Sequence, residues 1–228
     1  MEFTEEDLAR REKLEQVNKR LLEYFGEPNW HERMPAVDEL VCTILSQNTN
    51  DVNRDKAYTE LRRRYPTWKE VRDADPEELQ HVIRIAGLAE QKGPNIQAAL
   101  KAVSEKDEKF DLDWLKKLSV DEARNWLTTL KGVGPKTAAI VMVFSLGMPA
   151  FPVDTHVYRV TGRIGLRPAK LSVEKTHEYL EAIGNPDNFG PLHLNLINLG
   201  RQICQARKPK CAICPVLGMC DYPEKQFN

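Results

Sequence analysis

Apolar and polar residues recur at helical spacing along nearly the whole chain, and no segment alternates with a period of two between hairpin turns. Thr4, with Asp7 three residues on, marks a capped start for a charged helix running to about Phe25. A short, apolar helix is expected over 37–46. Asp51 is placed to cap a third helix, which must end before Pro66. Asp75-Pro76-Glu77-Glu78 starts a fourth, with Gly87 as its stop. Beyond Lys92, the residues Ile96, Leu100 and Val103 share one helical face. Ser119 and Glu122 have capping-box spacing for a helix ending near Leu130, and Pro135 opens a very apolar helix that ends at Gly147. Further helices are expected over 154–162, 172–183 and 191–204. The pattern predicts an all-α chain of about ten helices.

Composition narrows the class without changing that picture. With 41% hydrophobic and 29% charged residues in 228, the chain is an ordinary folded protein rather than a disordered one. The longest apolar run, Ala138 to Phe144, is far shorter than the roughly 20 residues of a membrane span, so no membrane partner is expected. The acidic start, Glu2 to Asp7, has no apolar stretch behind it and does not read as a secretory signal. Cys42 lies alone in an apolar run and reads as a core residue. The other four cysteines, Cys204, Cys211, Cys214 and Cys220, fall within 17 residues in a C-x6-C-x2-C-x5-C pattern. In a reducing compartment such a group binds metal rather than forming disulfides. Four thiolates suit zinc and an iron–sulfur cluster equally well, although zinc ribbons usually present two close pairs where this chain has one.

Between two of the expected helices lies Leu130-Lys131-Gly132-Val133-Gly134-Pro135-Lys136-Thr137. Glycines two apart allow positive φ and close backbone approach. A turn of this kind aims its N–H groups, with the start of the next helix, at a phosphate. Val133 would anchor the turn to the core. A plain helix connection could use the same glycines, but Lys131 and Lys136 on either side favour an anion. The net charge of −1, taken alone, argues against a polyanionic partner. That total hides a basic stretch: from 131 to 170 there are six bases (Lys131, Lys136, Arg159, Arg163, Arg167 and Lys170) and one acid, Asp154. The first 35 residues carry nine acids and six bases. Screening makes the local field the one that a nucleic acid meets.

Lys136 and Asp154 taken singly read as a solvated charge and a helix cap. Together, beside a phosphate-binding turn, they offer a nucleophilic amine and a carboxylate. The amine must lose its proton to attack, through burial, nearby positive charge or the positive end of a helix. The carboxylate can stabilise a sugar cation or assist proton movement.

The Lys136 hairpin, the segment Val153-Asp154-Thr155-His156-Val157 and the four-cysteine spacing together resemble endonuclease III, a family of helix-hairpin-helix DNA glycosylases with an iron–sulfur cluster. The resemblance covers nearly the whole chain, from about Trp30 to Cys220. It implies a two-lobed all-α fold, with a six-helix lobe over 30–148. A discontinuous second lobe would join 1–29 to 149–228 and carry the cluster loop at 204–220. It implies that Lys136 attacks the sugar C1′ of a damaged nucleotide as a Schiff-base nucleophile, and that Asp154 assists attack and base departure. Oxidised or ring-damaged pyrimidines would be removed, and β-elimination would then nick the strand. A [4Fe–4S] cluster would be held by Cys204, Cys211, Cys214 and Cys220. The DNA contacts implied are Lys131, Gly132, Val133 and Gly134 in the hairpin, Asn48 and Leu88 filling the space left by the extruded nucleotide, and Lys208 in the cluster loop. The implied partner is double-stranded DNA with a damaged base or an abasic site, met by a monomer, in the cytoplasm at the nucleoid if the source is prokaryotic. Two segments depart from the family's usual pattern: Lys131 and Pro135 stand where proline and arginine are common, and Gln47-Asn48-Thr49-Asn50 replaces Ala-Gln-Ala-Thr. Branches that only hydrolyse the base lack a lysine at the position of Lys136.

Overall fold

The computed structural model describes residues 3–28 and 33–227. Eleven α-helices occur among these residues, and no strand. In chain order they are α1 (Glu5–Phe25), α2 (Ala36–Ser46), α3 (Asp51–Arg64), α4 (Trp68–Asp73), α5 (Pro76–Ile83) and α6 (Ala89–Lys106). The remainder are α7 (Val120–Thr129), α8 (Pro135–Ile140), α9 (Thr155–Ile164), α10 (Val173–Ile183) and α11 (Phe189–Gln202). Contacts divide the chain into two compact units, Arg33–Met148 and the pair of segments Met1–Glu32 and Pro149–Asn228. The lobe boundary expected at residues 29 and 30 lies outside the described residues.

The unit Arg33–Met148 is built around α2. Val37, Leu40, Val41, Ile44 and Leu45 are all buried, so the helix is apolar on nearly every side and packs against α3, α6 and α8. Asn50, not Asp51, caps α3: its side chain accepts from the Asn53 N–H at 2.9 Å, while Asp51 becomes the first helical residue and pairs with Arg54. Residue 50 has the extended backbone that a cap needs, and asparagine caps as well as aspartate does. Helix α4, absent from the sequence expectation, is six residues long and starts at a capping box of Thr67 and Glu70. Helix α6 begins before Lys92 and takes in Gly93 and Pro94. The apolar helix after Pro135 is α-helical only to Ile140 and then widens to a π-helical turn over Val141–Leu146, closed by left-handed Gly147.

In the other unit, Leu14, Val17 and Leu21 of α1 are buried, and α1 packs on α10 and α11. Helix α9 also lies against α11, whose Leu192, Leu196 and Leu199 are buried. The rings of Phe151 and Phe189 meet edge to face with centroids 5.3 Å apart. This packing fixes the segment that leads into Asp154.

Candidate nucleic-acid interface and metal centre

The hairpin joins α7 to α8. Val133 is buried, and its N–H closes the turn onto the Leu130 carbonyl at 3.0 Å. The two glycines are needed for different reasons. Gly132 has φ +80°, and a Cβ there would lie 2.5 Å from Asn95 Nδ2, so both conformation and space demand glycine. Gly134 is extended and has nothing within 4 Å of such a Cβ. Gly134 is the N-cap of α8, where Pro135 takes the first position and the N–H groups of the first turn lack helical partners, whose place an anion could take. Lys131 and Lys136 are exposed on either side of the turn.

Two further loops of the same unit carry the residues expected to enter the duplex. Asn48 (φ 53°) and Leu88 (φ 50°) both hold the left-handed conformation that side chains other than glycine rarely adopt. Asn48 is exposed, and Leu88 is 52% exposed although it is apolar. Gln47, beside Asn48, donates from Nε2 to the Gly132 carbonyl at 2.9 Å and ties this loop to the hairpin. Lys92 is buried and donates from Nζ to the carbonyls of Leu45 and Ala86. Neither role was legible in the sequence, where Gln47 is a loop polar residue and Lys92 a helical charge with no motif around it.

Asp154 belongs to the other unit. It is half-buried and caps α9, its Oδ1 accepting from the Val157 N–H at 2.7 Å. The three residues before it are buried, and two of them are held through their backbone. The Phe151 N–H donates to Glu181 Oε1 at 2.7 Å, while the Phe151 and Pro152 carbonyls lie 2.9 and 2.8 Å from Nδ1 of His177 and His193. His156 is half-buried with Nδ1 3.1 Å from Arg159 Nη2, and burial holds its pKa below the usual histidine value.

The basic stretch from 131 to 170 needs correcting as a phosphate surface. Arg159 donates to the carbonyls of Gly200 and Cys204. Arg163 donates to those of Gln205 and Ala206. Arg167 is buried, donating to the Tyr158 and Pro168 carbonyls and stacking on the Tyr158 ring at 3.7 Å. Three of the six bases thus hold backbone in place, because a guanidinium can satisfy several carbonyls at once. Lys131, Lys136 and Lys170 remain exposed.

Arg159 and Arg163 reach from α9 to the cysteine loop, so the helix capped by Asp154 also braces that loop. Arg163 Nη1 lies 3.6 Å from Cys204 Sγ. Cys211 is buried and Cys204, Cys214 and Cys220 are half-buried, and none of the four forms a disulfide. Short 3-10 turns over Cys211–Ile213 and Leu217–Met219 bring the chain back twice within the loop. Each of Cys214 and Cys220 feels the charge of Cys204 and Cys211, and burial pushes the Cys214 thiol up to about 11. Among the described residues, no group of three or more His, Cys, Asp or Glu converges on one ion. The four donors are all sulfur, the chemistry that thiophilic centres such as iron–sulfur clusters take. Lys208, between the first two cysteines, is exposed and left-handed at φ 52°. Cys42 stays apart, half-buried, with its thiol pushed up to about 12 by burial. A thiol so raised is a weak nucleophile, and its half-burial places it at the edge of the core and not within it.

Comparison with known proteins assigns both parts of the chain. Residues 41–186 match the model of the HhH-GPD superfamily base excision DNA repair proteins, and residues 204–220 match the iron–sulfur binding domain of endonuclease III. The chain is 32% identical to endonuclease III of Thermotoga maritima over 209 residues, which cover 92% of each protein. It is 33% identical to a putative DNA glycosylase of Arabidopsis thaliana, covering 85% of this chain and 69% of that one. Among solved structures, a non-covalent endonuclease III–DNA complex superposes with a TM-score of 0.78 at 28% identity, covering 92% of this chain and 95% of that one. A thermostable thymine-DNA glycosylase shares the fold with a TM-score of 0.79 at 23% identity, covering 96% and 100%.

Proposed function

The chain belongs to the HhH-GPD superfamily of base excision DNA repair proteins, and on that premise we propose that it excises oxidised or ring-damaged pyrimidines from duplex DNA and then nicks the strand through a Schiff base on Lys136. The observation that carries the reading is the position of Lys136: exposed, second in α8, and directly behind the open N–H face at Gly134. A phosphate seated at that face would hold the backbone beside the amine. The Lys136 Nζ attacks C1′ as the bond from C1′ to the base breaks, and the base departs with a proton. One proton moves from the attached amine to the ring oxygen O4′ as the ring opens, which leaves a protonated imine. Removal of a C2′ proton then expels the 3′ phosphate, which nicks the strand. Asp154, held as the cap of α9, is the carboxylate assigned to the positive charge that develops on the sugar and to the proton movements.

Extrusion of the nucleotide costs a few kcal/mol in unstacking, least for a damaged base. Leu88 and Asn48 are the residues assigned to the vacated space, an apolar wedge and a polar probe of the opposite base. Lys131 and Lys208 are assigned to phosphates. Cys204, Cys211, Cys214 and Cys220 hold the iron–sulfur centre, inferred to be a [4Fe–4S] cluster, which would supply rigidity to the loop that carries Lys208. Excision assayed across damaged pyrimidines, abasic sites and mismatches tests the whole reading. Release of damaged pyrimidines with 3′ nicking is expected, and a protein that binds these duplexes without cleaving any would refute it.

A further inference from the structure

Lys92 is the fourth residue of α6, is 2% exposed, and is among the largest fully buried side chains of the protein. Its Nζ donates to the Leu45 carbonyl at 2.8 Å and to the Ala86 carbonyl at 2.7 Å. Burial pulls its pKa below the ordinary lysine value. A buried ammonium is costly unless hydrogen-bonded, and here it meets two carbonyls at the negative ends of helical segments. Leu45 is in the last turn of α2, and Ala86 ends the 3-10 turn over Arg84–Ala86. Each carbonyl stands just before a left-handed residue: Asn48 is three residues past Leu45, and Leu88 is two past Ala86. The Lys92 backbone N–H also donates to the Leu88 carbonyl, at 2.9 Å. One residue thus grips Leu88 through its backbone and both loop stems through its side chain.

We propose that Lys92 is a positioning residue for nucleotide extrusion, clamping the loops of Asn48 and Leu88 at one spacing so that both enter the duplex together. The inference rests on the base-excision reading above. A hydrophobic residue would fill the same volume, but only a multiple donor joins two carbonyl-terminated stems. Without the clamp each loop would sample positions of its own, and a wedge displaced by an ångström loses much of its effect on rate.

The experiment compares full-length Lys92→Met, which keeps the apolar stem without donors, with Lys92→Gln, which keeps an N–H donor. Borohydride trapping on DNA with a pre-formed abasic site counts competent molecules, and single-turnover excision of an oxidised pyrimidine is expressed per competent molecule. Stopped-flow fluorescence of 2-aminopurine placed opposite the lesion reports local unstacking. Lys92→Met is expected to lower excision by on the order of 10- to 100-fold and to shrink the 2-aminopurine signal, with Lys92→Gln between it and the wild type. Wild-type excision and fluorescence in Lys92→Met would overturn the proposal. So would a Lys92→Gln protein no better than Lys92→Met, since the effect would then belong to cavity volume. Counting trapped molecules removes any loss through partial unfolding. A wild-type protein that excises no damaged pyrimidine fails the base-excision reading itself, a result seen before any variant is compared.

Discussion

The side-chain amide of Gln47 donates to the carbonyl oxygen of Gly132 across 85 residues of sequence, at 2.9 Å. The bond ties the loop of Asn48 to the hairpin, where a Cβ on Gly132 would lie 2.5 Å from Asn95 Nδ2. On the proposed reading, a probe of the duplex interior and a grip on its backbone would therefore keep a fixed offset.

Gln47→Ala is expected to leave the fold intact and weaken that offset. An exposed neutral hydrogen bond is worth roughly 0.5–1.5 kcal/mol, so affinity for abasic duplex should fall by up to about tenfold. Fluorescence anisotropy with a labelled duplex reads this directly. Unchanged affinity would show that loop and hairpin are positioned independently.

The two hairpin glycines should respond oppositely to alanine. Gly132→Ala places a Cβ 2.5 Å from Asn95 Nδ2 at φ +80° and is expected to lower stability by about 1–3 kcal/mol. Gly134→Ala meets nothing within 4 Å and should melt like the wild type. It should still weaken duplex binding, because the methyl stands where a phosphate would approach. Thermal melts paired with binding curves separate the two effects.

Lys136→Ala is expected to abolish the borohydride-trapped adduct on abasic DNA while changing stability by no more than about 0.5 kcal/mol, as exposed positions do. Trapping equal to wild type would move the nucleophile elsewhere.

Asp154→Asn keeps a good helix cap, so α9 and the melting temperature should hold. Excision should nonetheless fall by roughly 10²–10⁴-fold as the carboxylate is lost. Asp154→Ala should add about 1 kcal/mol of destabilisation through the missing cap. Full excision by the asparagine variant would reduce Asp154 to a structural role.

Anaerobically purified protein is expected to carry iron and acid-labile sulfide in near-equal amounts, about four of each per chain for the [4Fe–4S] form. Stoichiometric zinc without iron would contradict the cluster assignment. Arg163→Ala removes the guanidinium that holds Gln205 and Ala206, and should lower the iron retained after dialysis against a chelator.

Much of the site was legible because its chemistry is written in short spacings. The Thr4–Asp7 and Ser119–Glu122 caps and the Gly132-Val133-Gly134 turn each depend on residues a few positions apart, and local geometry follows from local sequence. Resemblance supplied the roles of Lys136 and Asp154. Boundaries moved where neighbours competed, as with Asn50 taking the cap from Asp51.

The chain by itself determined an all-helical protein, several of its helix caps, and which residues bear candidate chemistry, because periodicity and capping act within a turn or two. Tertiary structure alone decided that Arg159, Arg163 and Arg167 brace backbone rather than greet phosphate, and that Lys92 and Gln47 join segments far apart in sequence. Charge counted along a chain carries no direction. Only packing settles whether a cation faces water or a buried carbonyl, since desolvation drives most buried donors to an acceptor.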